Sequence, residues 1–205
     1  MVRKTRKQKG GDLEFNGSNT RTGTIRINGK EYNIEPKAYL KEAQLQGADL
    51  SAAYLYKANL QGAVLTGADL SYADLENAVL EGAILNRAEL TSAYLTKANF
   101  KKAVLKDAVL ERAKLEGAIL TDANLNEANL DSANLKGAYL NRANLKKAVL
   151  QYANLTSADL KDAVLEGAKY NINTKWPEGF TIPETAVLVQ EPESESESEQ
   201  YKIIL

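Results

Sequence analysis

From Ala38 to Ile172 the chain repeats every five residues without insertion or gap, beginning AYLKE AQLQG ADLSA AYLYK and ending ADLKD AVLEG AKYNI. In all 27 units the first position is Ala, and the third is Leu except at Phe100 and Tyr170. An internal period this regular has to be explained before any local propensity is consulted. A continuous helix, at about 100° per residue, would rotate successive Leu by roughly 140° and leave no buried stripe. A flat strand fails as well, because an odd period sends successive Leu to opposite faces. What satisfies the pattern is a short extended A-x-L piece, with Ala and Leu on one face, followed by a two-residue bend that restores the inward direction. The chain turns at every unit, so it coils.

Tandem A-(D/N)-L-x-x units, as in ADLSY-ADLEN at residues 68–77, resemble those of the pentapeptide-repeat family. The resemblance implies an all-β fold: a right-handed quadrilateral β-helix, a solenoid in which four units form the four sides of one coil. On that geometry the units make about seven coils, and at an inter-strand spacing of about 4.8 Å the shaft is on the order of 30 Å long. Ala lets the backbone turn tightly around the axis and stacked Leu fill it. Each buried Leu is worth roughly 1.5–3 kcal/mol before entropy is subtracted.

A solenoid exposes apolar faces and sheet edges at its ends unless they are covered. Residues 23–37 contain GTIRINGKEYNIEP, which reads as a hairpin cap with Ile25 and Ile27 against Tyr32 and Ile34 around Asn28-Gly29. Residues 38–172 form the β-helix, and residues 173–189 are read as a C-terminal lid built on Trp176 and Phe180. The stretch NTKWPEGF there resembles the tail that follows the last coil in many cyanobacterial members of the family. An aromatic ligand site at Trp176 is the functional alternative to packing. Residues 1–22 read as a basic flexible tail, a candidate foothold for nucleic acid or anionic lipid. Residues 190–205, with EPESESESEQ, read as an acidic disordered tail whose Ser-Glu pairs would suit an acid-directed kinase.

The chemistry left to the surface is narrow. His and Cys are both absent, which removes the commonest general base, the commonest metal ligand and any thiolate site. Asp69, Asp74 and Glu89 sit between Ala and Leu in a slot that elsewhere holds Asn or Val, so they read as turn and surface residues. Each Gly in EGA, QGA or KGA falls at the bend before the next Ala, which is turn chemistry and no phosphate loop. No enzyme activity and no cofactor or metal are expected. No apolar run reaches 18 residues and the basic opening is followed by polar sequence, so no transmembrane segment or secretory leader is expected and the address is read as cytoplasmic.

Residues twenty apart should stack in adjacent coils. One bend column then runs Lys102, Asp122, Arg142, Asp162 and another Arg87, Asp107, Glu127, Lys147, so opposite charges mostly adjoin. The repeats carry fifteen basic and sixteen acidic residues, whereas residues 1–37 carry nine and four and residues 173–205 carry two and seven. Some members of the family protect type II topoisomerases by imitating DNA, which needs a strongly negative rod. The balanced charge here disfavours that role and nucleic-acid binding by the shaft. The reading is a monomeric, non-catalytic scaffold for an unknown protein partner. The alternatives are the DNA mimic and a purely structural spacer between the two ends. Candidate contacts are a stacked apolar column of Val64, Ile84 and Val104, and Tyr54, Tyr56, Tyr72 and Tyr94 gathered near a neighbouring corner.

Overall fold

A computed structural model describes residues 13–15 and 19–190. The middle x of each A-x-L piece forms a parallel bridge with the residue twenty positions on, from Tyr39↔Asn59 to Val149↔Lys169. One circuit of the chain therefore takes four units, and every circuit lies in register on the last. The described residues hold strands and bridges and no helix.

Backbone hydrogen bonding explains why five residues suffice. Around the first unit, Asn59 N donates to Ala38 O (2.9 Å), Leu40 N to Asn59 O (2.7 Å) and Glu42 N to Gln61 O (2.8 Å), all between coils. Within the bend, Ala43 N donates to Leu40 O at 3.1 Å. Four of the five N–H groups in a unit are thus paired with backbone, and only the fourth-position N–H remains. Asn or Asp at the second position takes it: Asp69 Oδ1 accepts from Ser71 N (2.9 Å), Asp74 Oδ1 from Glu76 N (3.0 Å) and Asn129 Oδ1 from Asp131 N (3.0 Å). The preference of the slot for Asp and Asn is this local bond, repeated.

Closing the bend requires a left-handed residue, as the second central position of a type II turn does. Every fifth position from Glu42 to Gly167 has positive φ, including Lys57, Tyr72, Arg87 and Arg142 at 57–60°. None of these residues is β-branched, which is the class that tolerates the conformation least. Ile172 is the first β-branched residue at this phase, and there the left-handed series stops.

The core is one continuous stack. Every first- and third-position side chain from Ala48 to Leu155 is at most 1% exposed. At the start, β1 (Glu14–Phe15), β2 (Arg21–Ile27) and β3 (Lys30–Ile34) form an antiparallel sheet in that order. Its turn residues Asn28 and Gly29 both have positive φ, as a two-residue type I′ hairpin requires. Leu13, Ile25, Ile27, Tyr32 and Ile34 join the core of the shaft. Tyr32 covers part of the first coil's open edge, its hydroxyl accepting from Gln44 N at 3.2 Å.

Two boundaries differ from the sequence reading. Ordered packing begins before residue 23, because β2 starts at Arg21 and Leu13 is buried; residues 1–12 and 191–205 lie outside the described residues. The regular coil also ends before residue 172. Lys175, not residue 174, pairs with Asn154, and Ile172 is 83% exposed. Asn171 turns inward instead, and its Oδ1 accepts from Tyr152 N at 3.0 Å where a fourth-position backbone carbonyl would accept in the repeats. Thr174 Oγ1 locks the end by donating to Leu150 O at 2.8 Å. The chain then returns as β5 (Val187–Leu188), parallel to β4 (Lys169–Tyr170).

The left-handed bend makes a clean test. A Cβ at Gly82 would meet nothing within 4 Å, so substitution there reports backbone conformation alone. Gly82→Asn should be nearly neutral, whereas Gly82→Val should lower stability by about 1–2 kcal/mol. Thermal denaturation followed by circular dichroism checks both, and equal effects of the two would refute the turn assignment.

Candidate functional site on the outer columns

Because the core positions are alike in every unit, what distinguishes one part of the shaft from another is carried by the second, fourth and fifth positions. Consecutive bridges Val64↔Ile84 and Ile84↔Val104 stack the three apolar side chains in one column. Ile84 is 36% exposed, and Gln44 precedes the column while Asn124 follows it.

The four tyrosines fall into two groups. Tyr54 and Tyr56 are in ring contact, with centroids 6.4 Å apart and planes tilted by 35°, and Lys57 Nζ lies 5.1 Å from the Tyr56 ring. Tyr72 and Tyr94 instead wall a cleft of about 320 Å³ with Ala52, Asp74, Asn19 and Thr20. That cleft is not legible from the repeat spacing, since Asn19 and Thr20 reach it through the docking of β2.

That docking rests on Arg21. Its N–H donates to Ala52 O (2.6 Å), and its carbonyl accepts from Tyr54 N (2.8 Å), so it supplies the strand that precedes Tyr54 on this face. Its guanidinium donates to Asp49 Oδ1 (3.2 Å), Ser51 Oγ (2.9 Å) and Ser51 O (3.1 Å), and Nε to Leu13 O (3.3 Å). Burial pushes the Asp49 carboxyl up, but the hydrogen bonds from Ser51 and the Arg21 charge outweigh it, and the pKa lies below its ordinary 3.8.

The charge columns pair only in part, and among the described residues Lys102 and Asp162 form no ion pair within theirs. Arg142 grips Asp122 with two bonds, Nε to Oδ1 at 2.6 Å and Nη2 to Oδ2 at 2.9 Å. This hydrogen bonding lowers the Asp122 pKa and raises that of Arg142. In the other column Arg87 reaches Asp107 at 3.9 Å and Lys147 reaches Glu127 at 3.8 Å, leaving the like charges Asp107 and Glu127 as neighbours. Lys146 with Glu166, at 2.8 Å, adds a pair twenty residues apart that the sequence reading had not singled out.

At the far end Trp176 stacks on Phe180, with centroids 5.5 Å apart, and meets Tyr170 edge-on at 5.6 Å. Both rings pack against the last part of the core with Ala163. Among the described residues no group of three or more His, Cys, Asp or Glu is arranged to hold a metal ion. None of those residues forms a helix long and apolar enough to cross a membrane.

The family model described as Pentapeptide repeats matches in 8 copies, aligned over residues 43–82, 73–112, 83–122, 108–146 and 128–167. The chain belongs to the pentapeptide-repeat family. With membership comes the right-handed β-helix, which agrees with the parallel twenty-residue register. No curated protein matches the sequence. Among solved structures, this pentapeptide-repeat chain is similar to HetL, a pentapeptide repeat protein involved in heterocyst differentiation regulation in the cyanobacterium Nostoc. The identity is 33%, over 66% of this chain and 88% of HetL, with a TM-score of 0.38. A pentapeptide repeat protein of the Arabidopsis thaliana thylakoid lumen is also 33% identical, over 41% of this chain and 62% of that one, with a TM-score of 0.34. QnrB1, a plasmid-mediated fluoroquinolone resistance protein, is 16% identical over 79% of this chain and 83% of its own, with a TM-score of 0.40.

In this pentapeptide-repeat shaft the Arg21–Asp49 contact is titratable. Since the folded pKa of Asp49 is depressed, its contribution is present above the ordinary value of 3.8 and lost as pH falls through the folded value. Acidification should therefore release β2 from the shaft before the coils open. Amide exchange at Tyr54, corrected for the intrinsic rate, should quicken on acidification in the native chain and lose most of this pH dependence in Asp49→Asn. A pH response unchanged in that variant would remove Asp49 from the anchor.

Proposed function

We propose that the chain is a cytoplasmic, monomeric, non-catalytic interaction scaffold: a quadrilateral β-helix of about seven coils, given four units to the coil, that holds a protein-binding face on its outside. The observation that carries this reading is the Val64–Ile84–Val104 column. Gly62 and Gly67 end the bends on both sides of Val64 and Gly82 the bend before Ile84, while Arg87, Lys102 and Asp107 stand at the same bend position beside the rest of the column. At Gly67 and Gly82 a Cβ would meet open space. A partner therefore meets the fewest bend side chains at the Val64 end of the strip, and contacts on a flat strand face favour another protein over a small molecule.

The filled axis supports the non-catalytic part. Phe100 and the Leu series from Leu45 to Leu90 are fully buried, so the shaft's interior is packed side chain and its surface is the place for recognition. The paired charge columns support a near-neutral field, which suits specific contact better than long-range attraction of a polyion. Affinity capture from the native host tests the scaffold. Ile84→Lys should lose a partner that the native chain retains, with an unchanged circular dichroism spectrum. Retention of every partner would favour the spacer reading.

We also read the two ends as caps, the hairpin at one end and the Trp176–Phe180 stack at the other. Removing residues 174–205 would uncover Leu160, Leu165 and Tyr170. The truncated chain should keep most of its β signal yet associate or fray, as light scattering and amide exchange would report. A monomer of undiminished stability would overturn the lid assignment.

A further inference from the structure

We propose that Tyr72, Asp74 and Tyr94 form a receptor for an organic cation, a guanidinium or alkylammonium group. The bridges Tyr54↔Asp74 and Asp74↔Tyr94 set the Asp74 carboxylate on the same face as the Tyr94 ring, one coil away. Tyr72 stands two residues earlier, at the bend, held outward by its left-handed backbone (φ 60°) and 59% exposed. The cleft between them, about 320 Å³, is lined also by Ala52, Asn19 and Thr20. That volume is near the lower limit for small-molecule sites, of about 300 Å³, and suits one charged headgroup better than a large ligand.

Three features select a cation. Among the described residues Asp74 Oδ1 is engaged by the local Glu76 N–H alone and none forms an ion pair with the carboxylate, whereas Asp49 and Asp122 are each taken by an arginine. Two tyrosine rings flank it, and the faces of such rings attract ammonium and guanidinium groups. The chain already uses this attraction: Lys114 Nζ sits 4.1 Å from the centroid of Tyr94. Lys114 pairs with Tyr94 from the coil on the side away from Asp74 and does not line the cleft, so the Asp74 side remains for a ligand.

The cation can arrive as the side chain of a basic peptide or as a free quaternary amine, and the inference rests on the interaction reading only in taking Tyr72 and Tyr94 as binding residues. Its test is titration of the full chain with N-acetyl-arginine amide, with tetramethylammonium and with the neutral isostere N-acetyl-citrulline amide, followed by amide chemical shifts. Saturable shifts at Ala52, Tyr72, Asp74 and Tyr94 are expected for at least one cation and not for the citrulline compound. The arginine arm reports a peptide side chain, the tetramethylammonium arm a free quaternary amine. Asp74→Asn should weaken binding about tenfold or more. Asp159→Asn, a carboxylate on another face, should leave it unchanged. Absence of saturable shifts at about 20 mM of either cation, equal binding of the citrulline compound, or full affinity in Asp74→Asn would overturn the proposal. None of these results depends on Ile84, so the apolar column stands or falls separately.

Discussion

The rest of the structure depends on one constraint, the hydrogen-bonded register of twenty residues between successive coils. It is satisfied only if the chain makes a bend every five residues, and each bend puts its fifth residue in the left-handed region. For a residue other than Gly that conformation costs about 1 kcal/mol or more. The same residue's N–H is returned to the next coil, as Glu42 N is to Gln61 O, and the bend drives the following Ala and Leu into the axis. The strain is thus distributed along the shaft and offset locally, unit by unit, by one hydrogen bond and one buried Leu.

The fold was legible because its determinants are local and repeated. Ala at the first position, Leu at the third and Asp or Asn at the second each answer to a contact within the unit or with its counterpart twenty residues on. What was illegible is equally physical. Nothing in the residue type of Arg21 separates it from the basic residues that precede it; its role comes from Asp49 and Ser51, 28 and 30 positions away and outside the register of the repeats. The end of the coil was overread because AKYNI fits the unit in spelling, whereas Ile172 is unsuited to the left-handed bend and Asn171 and Thr174 divert the chain.

The candidate surface divides along the same line. The Val64–Ile84–Val104 column and the charge columns follow from counting by twenty, and the paired arginines and lysines lie near where that count sets them. The tyrosines do not, because columns say which residues stack and not which rings meet across a corner. Tyr54 turns toward Tyr56, while Tyr72 and Tyr94 are separated from that pair and completed as a cleft by residues preceding the repeats. Asp74 shows how a residue serving its own bend through one oxygen can still present charge outward.

A coil of four identical-core units also gives the surface a phase. Removing or adding a single unit would leave the axis packed, since every unit but those of Phe100 and Tyr170 offers the same Ala and Leu inward. Yet every residue beyond that point would move a quarter of a circuit to the adjoining face. The Val64, Ile84 and Val104 strip would be split between two sides, and Arg142 would part from Asp122 if the change fell between them. Only changes of four units preserve the pattern. The fold is therefore indifferent to small changes of length to which its outer markings are acutely sensitive, and the length of such a rod is set by what it displays as much as by what it buries.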